Sequence, residues 1–227
     1  MSSARKTLIT EADVVGASKR GAKAISIDSN TIVTPLAGET ARRLGILLST
    51  EVLPPSVGVQ AVEILQPADK RNPRAETVVA LGADHGGYQL KEQLKKALTG
   101  WGYSVADVGT NSEQPCDYPD FAYAVARMVA SGEAARGVMI DGVGVASAIV
   151  ANKVPGVRAA AATDEFMARS SREHNDANVL TLGGRVLGVE AAKSILNVWL
   201  ETWFGGGRHQ ARLKKITEIE ERYSRKR

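Results

Sequence analysis

Asp141 closes the apolar run Val138-Met139-Ile140 and is followed by Gly142-Val143-Gly144-Val145-Ala146-Ser147. A carboxylate there, beside backbone N–H groups that open a helix, has two uses. It caps the helix, or it serves as a general base next to an oxyanion or phosphate site. The glycine spacing approximates a dinucleotide loop. However, its third glycine is Ser147, it follows a third strand rather than a first, and no acid ends the next strand to meet a ribose. A P-loop is excluded because no Gly-Lys-Ser/Thr follows.

Three further stretches carry comparable chemistry. In Gly82-Ala83-Asp84-His85-Gly86-Gly87, Asp84 reads as a turn cap or as a proton-transfer or sugar-hydroxyl group, and His85 as a phosphate-binding imidazole. His174 and Asn175 stand before an apolar run; a histidine there is a dipole-favoured helix cap or a functional imidazole. Arg208 and Arg212 follow Gly205-Gly206-Gly207 at spacing i, i+4 and share one helix face. They make a phosphate clamp or an exposed basic helix end, and Lys214 and Lys215 extend the basic character. The three histidines, His85, His174 and His209, all fall in glycine-rich or polar segments. That placement favours chemistry over packing.

The elements that must position these residues alternate regularly from Thr77 onward. Strands are predicted at 77–82, 103–109, 137–140, 157–162 and 178–184, and helices at 88–102, 119–133, 145–154, 164–174, 188–204 and 208–223. Short apolar strands between helices predict an α/β fold with a doubly wound, five-stranded parallel sheet. Ligands bind such sheets beyond the carboxyl ends of the strands, where Asp84 and Asp141 fall. Before Thr77 the chain divides into a small α/β extension at 1–50 and a linker at 51–76, and the main domain is predicted at 77–227. In the extension, Thr10 is the expected cap of a helix ending near Gly21. A strand is expected at 24–27, and a second helix region contributes Leu44, Ile46 and Leu47 to a core. The linker carries Pro54, Pro55, Pro67 and Pro73, with a candidate strand at 58–65.

Composition sets the outer bounds. The 227 residues carry a formal charge of +4, with 5% aromatic residues, too few for a base-stacking surface, so no nucleic-acid partner is expected. The one cysteine, Cys116, rules out a disulfide framework or a Cys-based zinc site within one chain. No apolar run approaches the ~18 residues of a membrane span, and the first residues lack a signal-peptide core. A cytoplasmic protein with no membrane partner is expected.

The stretches ALGADHGGYQLKEQL, CDYPDFA, GVGVASAIVANKVPGVRAA, SREHNDANVLTLGGRV and GGRHQARLKKI run in that order over roughly 77 to 222. Together they resemble the type B ribose-5-phosphate isomerase family, which includes galactose-6-phosphate isomerases. The resemblance implies a Rossmann-like fold, no metal or nucleotide cofactor, and dimers or tetramers whose active sites combine two subunits. It also implies aldose–ketose isomerisation of a phosphosugar through an enediolate. By the same resemblance, Asp84 and His174 assist ring opening. Asn175 and the backbone from Gly142 through Gly144 and Val145 to Ala146 stabilise the enediolate. His85, Arg208 and Arg212 hold the phosphate, and Tyr118 lines the pocket.

One departure stands out. The family pattern Cys-Gly-Thr-Gly, with the cysteine as base, here reads Asp141-Gly142-Val143-Gly144. A second branch of the family uses a glutamate slightly further along, where this chain has Ser147. Asp141 is the expected base for interconverting ribose 5-phosphate and ribulose 5-phosphate, although amides at a helix start weaken it by lowering its pKa. The alternatives are an isomerase for a different phosphosugar, or a catalytically weak sugar-phosphate-binding or assembly protein. Residues 9–46 are similar to segments of enzymes associated with bacterial microcompartments. That second resemblance implies shell or cargo partners and a microcompartment destination; a lineage-specific ornament packing on the isomerase dimer is the alternative.

Overall fold

The computed structural model describes residues 7–19, 24–27, 31–49, 64–67 and 72–224. The chain divides into two compact units, Met1–Gln60 and Ala61–Arg227. Gly21, Pro54 and Pro55 lie outside the described residues.

In the first unit, β1 (Thr7–Ile9), α1 (Glu11–Lys19) and β2 (Ala24–Ser26) are followed by β3 (Thr31–Val33), α2 (Pro35–Leu44) and β4 (Leu47–Ser49). β1 pairs with β3 and β2 with β4, both in parallel. Thr10 stands immediately before α1, and Asp13 Oδ2 accepts from the Thr10 amide at 2.8 Å and from its hydroxyl at 2.6 Å. Thr34 caps α2 through Ala37 N, and Gly45, at φ 66, ends it. The core holds Ile9, Val14, Ala17, Ala37, Ala41 and Ile46. Ile46 is buried as expected, whereas Leu44 and Leu47 are exposed. Leu44 ends a helix whose buried face is set by Ala37 and Ala41, and Leu47 stands on a strand with a single partner.

In the second unit, β5 (Ile64–Leu65) and a 3-10 turn (Pro73–Glu76) precede the main alternation. This runs β6 (Val78–Ala83), α3 (Tyr88–Gly100), β7 (Ser104–Asp107), α4 (Tyr118–Ala130), β8 (Arg136–Asp141) and α5 (Val145–Ala151). It continues with β9 (Ala159–Ala161), α6 (Glu165–Asn175), β10 (Val179–Gly183), α7 (Val189–Glu201) and α8 (Arg208–Ser224). The sheet order is β5-β7-β6-β8-β10-β9. Five strands are parallel as predicted; the sixth, β5, adds an antiparallel edge from the Pro-rich segment.

Alternation along the strands sorts side chains to two cores. Val79, Leu81, Val138, Ile140, Leu180 and Leu182 face α3 and α7, with Leu94, Leu98, Leu196 and Trp199. Ala80, Met139 and Val179 face the other way, against Ala122, Val125 and Met128 of α4. Central strands buried on both faces read as near-continuous apolar runs, which is why these were recognisable. No helix among the described residues is long and apolar enough to cross a membrane.

Candidate active site

β6, β8 and β10 end side by side. Ala83 is in register with Ile140, and Gly183 with Asp141, so Asp84 follows at the level of Asp141. Both carboxylates are buried, at 6% and 4% exposure. Asp84 Oδ1 accepts from Gly87 N at 3.0 Å, which caps the tight turn into α3. Among the described residues its Oδ2 has no hydrogen-bond partner and is the oxygen free for chemistry. Gly87 is required here: a Cβ would stand 2.2 Å from Ile140 O, inside the backbone of the neighbouring strand.

His85 leaves the same turn toward the loop before α4. Its Nδ1 lies 3.2 Å from both the amide nitrogen and the carbonyl oxygen of Cys116. A neutral ring accepts from the amide and keeps its proton on Nε2; a ring protonated at Nδ1 donates to the carbonyl. Cys116 Sγ is 3.9 Å from the same nitrogen. Tyr118, the first residue of α4, is half-buried against the core on that side of the sheet.

Asp141 is enclosed by its own loop. Oδ1 accepts from Val143 N at 2.7 Å and from Gly144 N. Oδ2 accepts from Ser147 N at 3.0 Å and from Ser147 Oγ at 2.5 Å. Burial pushes the carboxyl pKa up, but the Ser147 hydroxyl and the three amides outweigh it and hold the group below its ordinary value. The balance is physically reasonable. Hydrogen bonds to a charged group contribute about 1.5–3 kcal/mol each, and four of them exceed a desolvation cost of several kcal/mol. The capping reading of Asp141 is therefore observed: it is an ionised carboxylate whose oxygens take the first amides of the loop and of α5. Its position has a cost for the expected anion hole. The Gly144 amide is committed to Asp141, whereas Val145 and Ala146 open α5 and have no intrahelical acceptor for their N–H groups. Val143, in place of the family threonine, is 58% exposed.

A second group assembles where α6 meets α8. The His174 and His209 rings stack, with centroids 4.4 Å apart and planes 12° from parallel. His174 Nδ1 is 3.1 Å from Ser170 Oγ. His209 is buried, and its Nδ1 has no hydrogen-bond partner among the described residues. Burial, then the charges of His174, Arg208 and Arg212, push its pKa down. Arg208 and Arg212 are exposed on the first turns of α8, and Asn175 is exposed at the end of α6. Arg172 fixes this corner from inside. It is 2% exposed, and its Nη1 donates to Asp176 Oδ1 and to Ala177 O, both at 2.7 Å.

No hydrogen bond, ion pair or ring contact joins this second group to Asp84, His85 or Asp141 among the described residues. A groove beside α8 takes in Asn175, Arg158, Ile216 and Tyr223 but none of the three strand-end residues. Nor do any three or more His, Cys, Asp or Glu side chains among the described residues cluster to hold a metal ion.

Ser147, Arg172, Arg185 and His209 belong to this architecture without having been assigned a role from sequence. Arg185 follows β10; its Cδ and Nε lie 3.7 and 3.9 Å from where a Cβ on Gly142 would stand. His209 carried a signal, since it sits between Arg208 and Arg212 and is one of so few histidines. Ser147 and Arg172 carried none that spacing alone could decode.

Residues 79–216 match the ribose/galactose isomerase family model. The chain belongs to this family. It is 46% identical over 144 residues to ribose-5-phosphate isomerase B of Escherichia coli, covering 63% of this chain and 97% of that protein. It is 39% identical over 140 residues to the D-erythrulose-4-phosphate isomerase of Pectobacterium atrosepticum, covering 61% and 91%. Among solved structures, the Clostridium thermocellum ribose-5-phosphate isomerase B superposes with a TM-score of 0.64 at 51% identity, covering 65% of this chain and 99% of that one. A sugar-phosphate isomerase of this family is thus established as the coarse identity of the second unit. The first unit lies outside the matched span.

Proposed function

We propose that the protein interconverts ribose 5-phosphate and ribulose 5-phosphate, with Asp141 as the base and no cofactor. The supporting observation is the placement of an ionised Asp141 level with Asp84, at the mouth of the free N–H groups of α5. In the forward direction Asp141 takes the C2 proton of the open aldose. The C2–H pair forms the C1=C2 bond, and the carbonyl π pair becomes oxyanion charge on O1. Return of that proton to C1, with transfer of the O2 proton to O1, makes the C2 carbonyl of the ketose. Amides of Val145 and Ala146 and the Asn175 side chain stabilise the oxyanion, where preorganised donors lower the barrier most. Asp84 and His174 open the ring, Tyr118 lines the pocket, and His85, Arg208 and Arg212 hold the phosphate, whose remote binding energy orients the reacting carbons.

The separation of the two residue groups within one chain favours a site completed by a second subunit, in a homodimer or tetramer. Val143, Val145 and Ile149 are exposed beside Asp141 and offer an apolar surface for that contact. A second reading has its own support. Val143 removes a hydroxyl from the pocket, and one relative acts on erythrulose 4-phosphate, so a different phosphosugar is the alternative substrate. A panel of pentose, tetrose and hexose phosphates, assayed for ketose formation, separates the two. Turnover greatest on ribose 5-phosphate is expected. Preference for another phosphosugar overturns the substrate, and ligand-induced stabilisation without turnover on any overturns the enzyme.

We read the first unit as a targeting or docking module for bacterial microcompartment shell or cargo proteins, on its similarity to segments of such enzymes and its separate compact core. A chain beginning at residue 61 is expected to keep its turnover and lose co-sedimentation with shell proteins. Retained co-sedimentation would sink this reading.

A further inference from the structure

The carboxylate of Asp141 is saturated. An ionised carboxylate offers about four lone-pair sites, and here four donors occupy them, two on each oxygen. A base with no free lone pair accepts no proton, so one donor has to leave before catalysis. Three of the four are backbone amides of a loop that β10 clamps from the other side. Thr181 Oγ1 donates to Gly144 O at 2.6 Å, Gly184 N to Asp141 O at 2.7 Å, and Arg185 N to Gly142 O at 3.1 Å. Gly144, at φ 88, leaves only 2.9 Å between a would-be Cβ and Leu182 C, so the turn has no room to shift. The fourth donor is a hydroxyl on a single rotatable bond.

We infer that the Ser147 hydroxyl is a latch, which turns away about χ1 to free Asp141 Oδ2 for the substrate proton. The inference rests on Asp141 being the base. Ser147 is fully buried, so the released hydroxyl needs another acceptor. It stands in the first turn of α5, where a serine in another staggered rotamer turns back toward the carbonyl four residues earlier, Val143 O, since Gly144 O already accepts from Thr181 Oγ1. The latch therefore exchanges one hydrogen bond for another without moving the backbone. Ser147 is a positioning residue in this scheme, because it acts on the substrate only through Asp141. The charged groups bordering the loop are Asp84, from the end of β6, and Arg185, after β10. Asp84 Oδ1 and Gly142 N both lie 3.3 Å from the point where a Cβ on Gly86 would stand.

The test uses the full-length protein with carbon-13-labelled aspartate, following the Asp141 carboxyl by NMR titration beside steady-state kinetics. Ser147→Ala removes the latch and leaves the amides. Its Asp141 midpoint is expected to rise by about one unit. Turnover near neutral pH should rise about threefold, since a stronger and unlatched base abstracts faster. Ser147→Thr keeps the hydroxyl and should restore both values. An unmoved midpoint, or a Ser147→Ala turnover that falls, overturns the latch, because a donor that must leave cannot be required. If the wild type turns over no phosphosugar, the proposed function fails but the latch is still read. Turnover gained on Ser147→Ala then supports it, and continued inactivity overturns it.

Discussion

The exchange of a thiol for a carboxylate at residue 141 changes how base strength depends on pH. A free thiol has a pKa of about 8.5, and a thiol at a helix start lies lower but still loses thiolate on acidification. Asp141 is held below the ordinary carboxylate value, against burial, by the Ser147 hydroxyl and three amides. A lowered folded-state pKa means that the charged form persists as pH falls, until the pH drops below that ordinary range. Between pH 5 and 9 the base at 141 therefore does not titrate. Asp141→Cys should introduce a rise of kcat/KM with pH at or below about 8.5 that the wild type lacks. Asp141→Asn should lose at least about a hundredfold in kcat. Unchanged turnover in Asp141→Asn removes this residue from the mechanism. A wild-type profile with the same rise as Asp141→Cys shows that another group is the base.

At the scale of elements, legibility followed burial. β6, β8 and β10 are buried on both faces and announced themselves as apolar runs, and the strand-end rule then pointed to Asp84 and Asp141. β5 falls at the end of the candidate strand at 58–65, but its place in the main sheet did not show, because two residues join that sheet only through their pairing with Ala106 and Val105 of β7. Leu44 and Leu47 read as core, since hydrophobicity alone does not say which face of a short helix or strand is covered. Arg172 failed in the opposite sense. A charged residue in a polar helix reads as solvated, yet here it is buried, ties α6 to the turn at Asp176, and lies over the Trp199 ring at 5.8 Å. Ser147 was seen as the place of a missing glutamate, but its bond to Asp141 crosses a turn and depends on Gly144 adopting a positive φ. Local patterns located the chemistry. What escaped them were contacts that form only when two segments meet in three dimensions.

At the scale of the whole molecule, the two residue groups impose a requirement. Asp84, His85 and Asp141 sit at the ends of β6 and β8. His174, Asn175, His209, Arg208 and Arg212 sit where α6 meets α8, and no hydrogen bond, ion pair or ring contact among the described residues connects them. A phosphosugar spanning base and phosphate clamp needs both groups within the length of one small molecule. Closed two-fold symmetry supplies this at once, because an isologous contact brings each group of one subunit to the other group of its partner and makes two equal sites. The arrangement predicts complementation. Asp84→Asn and Arg212→Ala should each be impaired alone. In an equal mixture of exchanged subunits half the dimers are mixed, and each of those holds one intact site of two, so activity should recover to about one quarter of wild type. With sites confined to single chains no recovery occurs beyond the sum of the two variants, and that result would return both residue groups to one subunit.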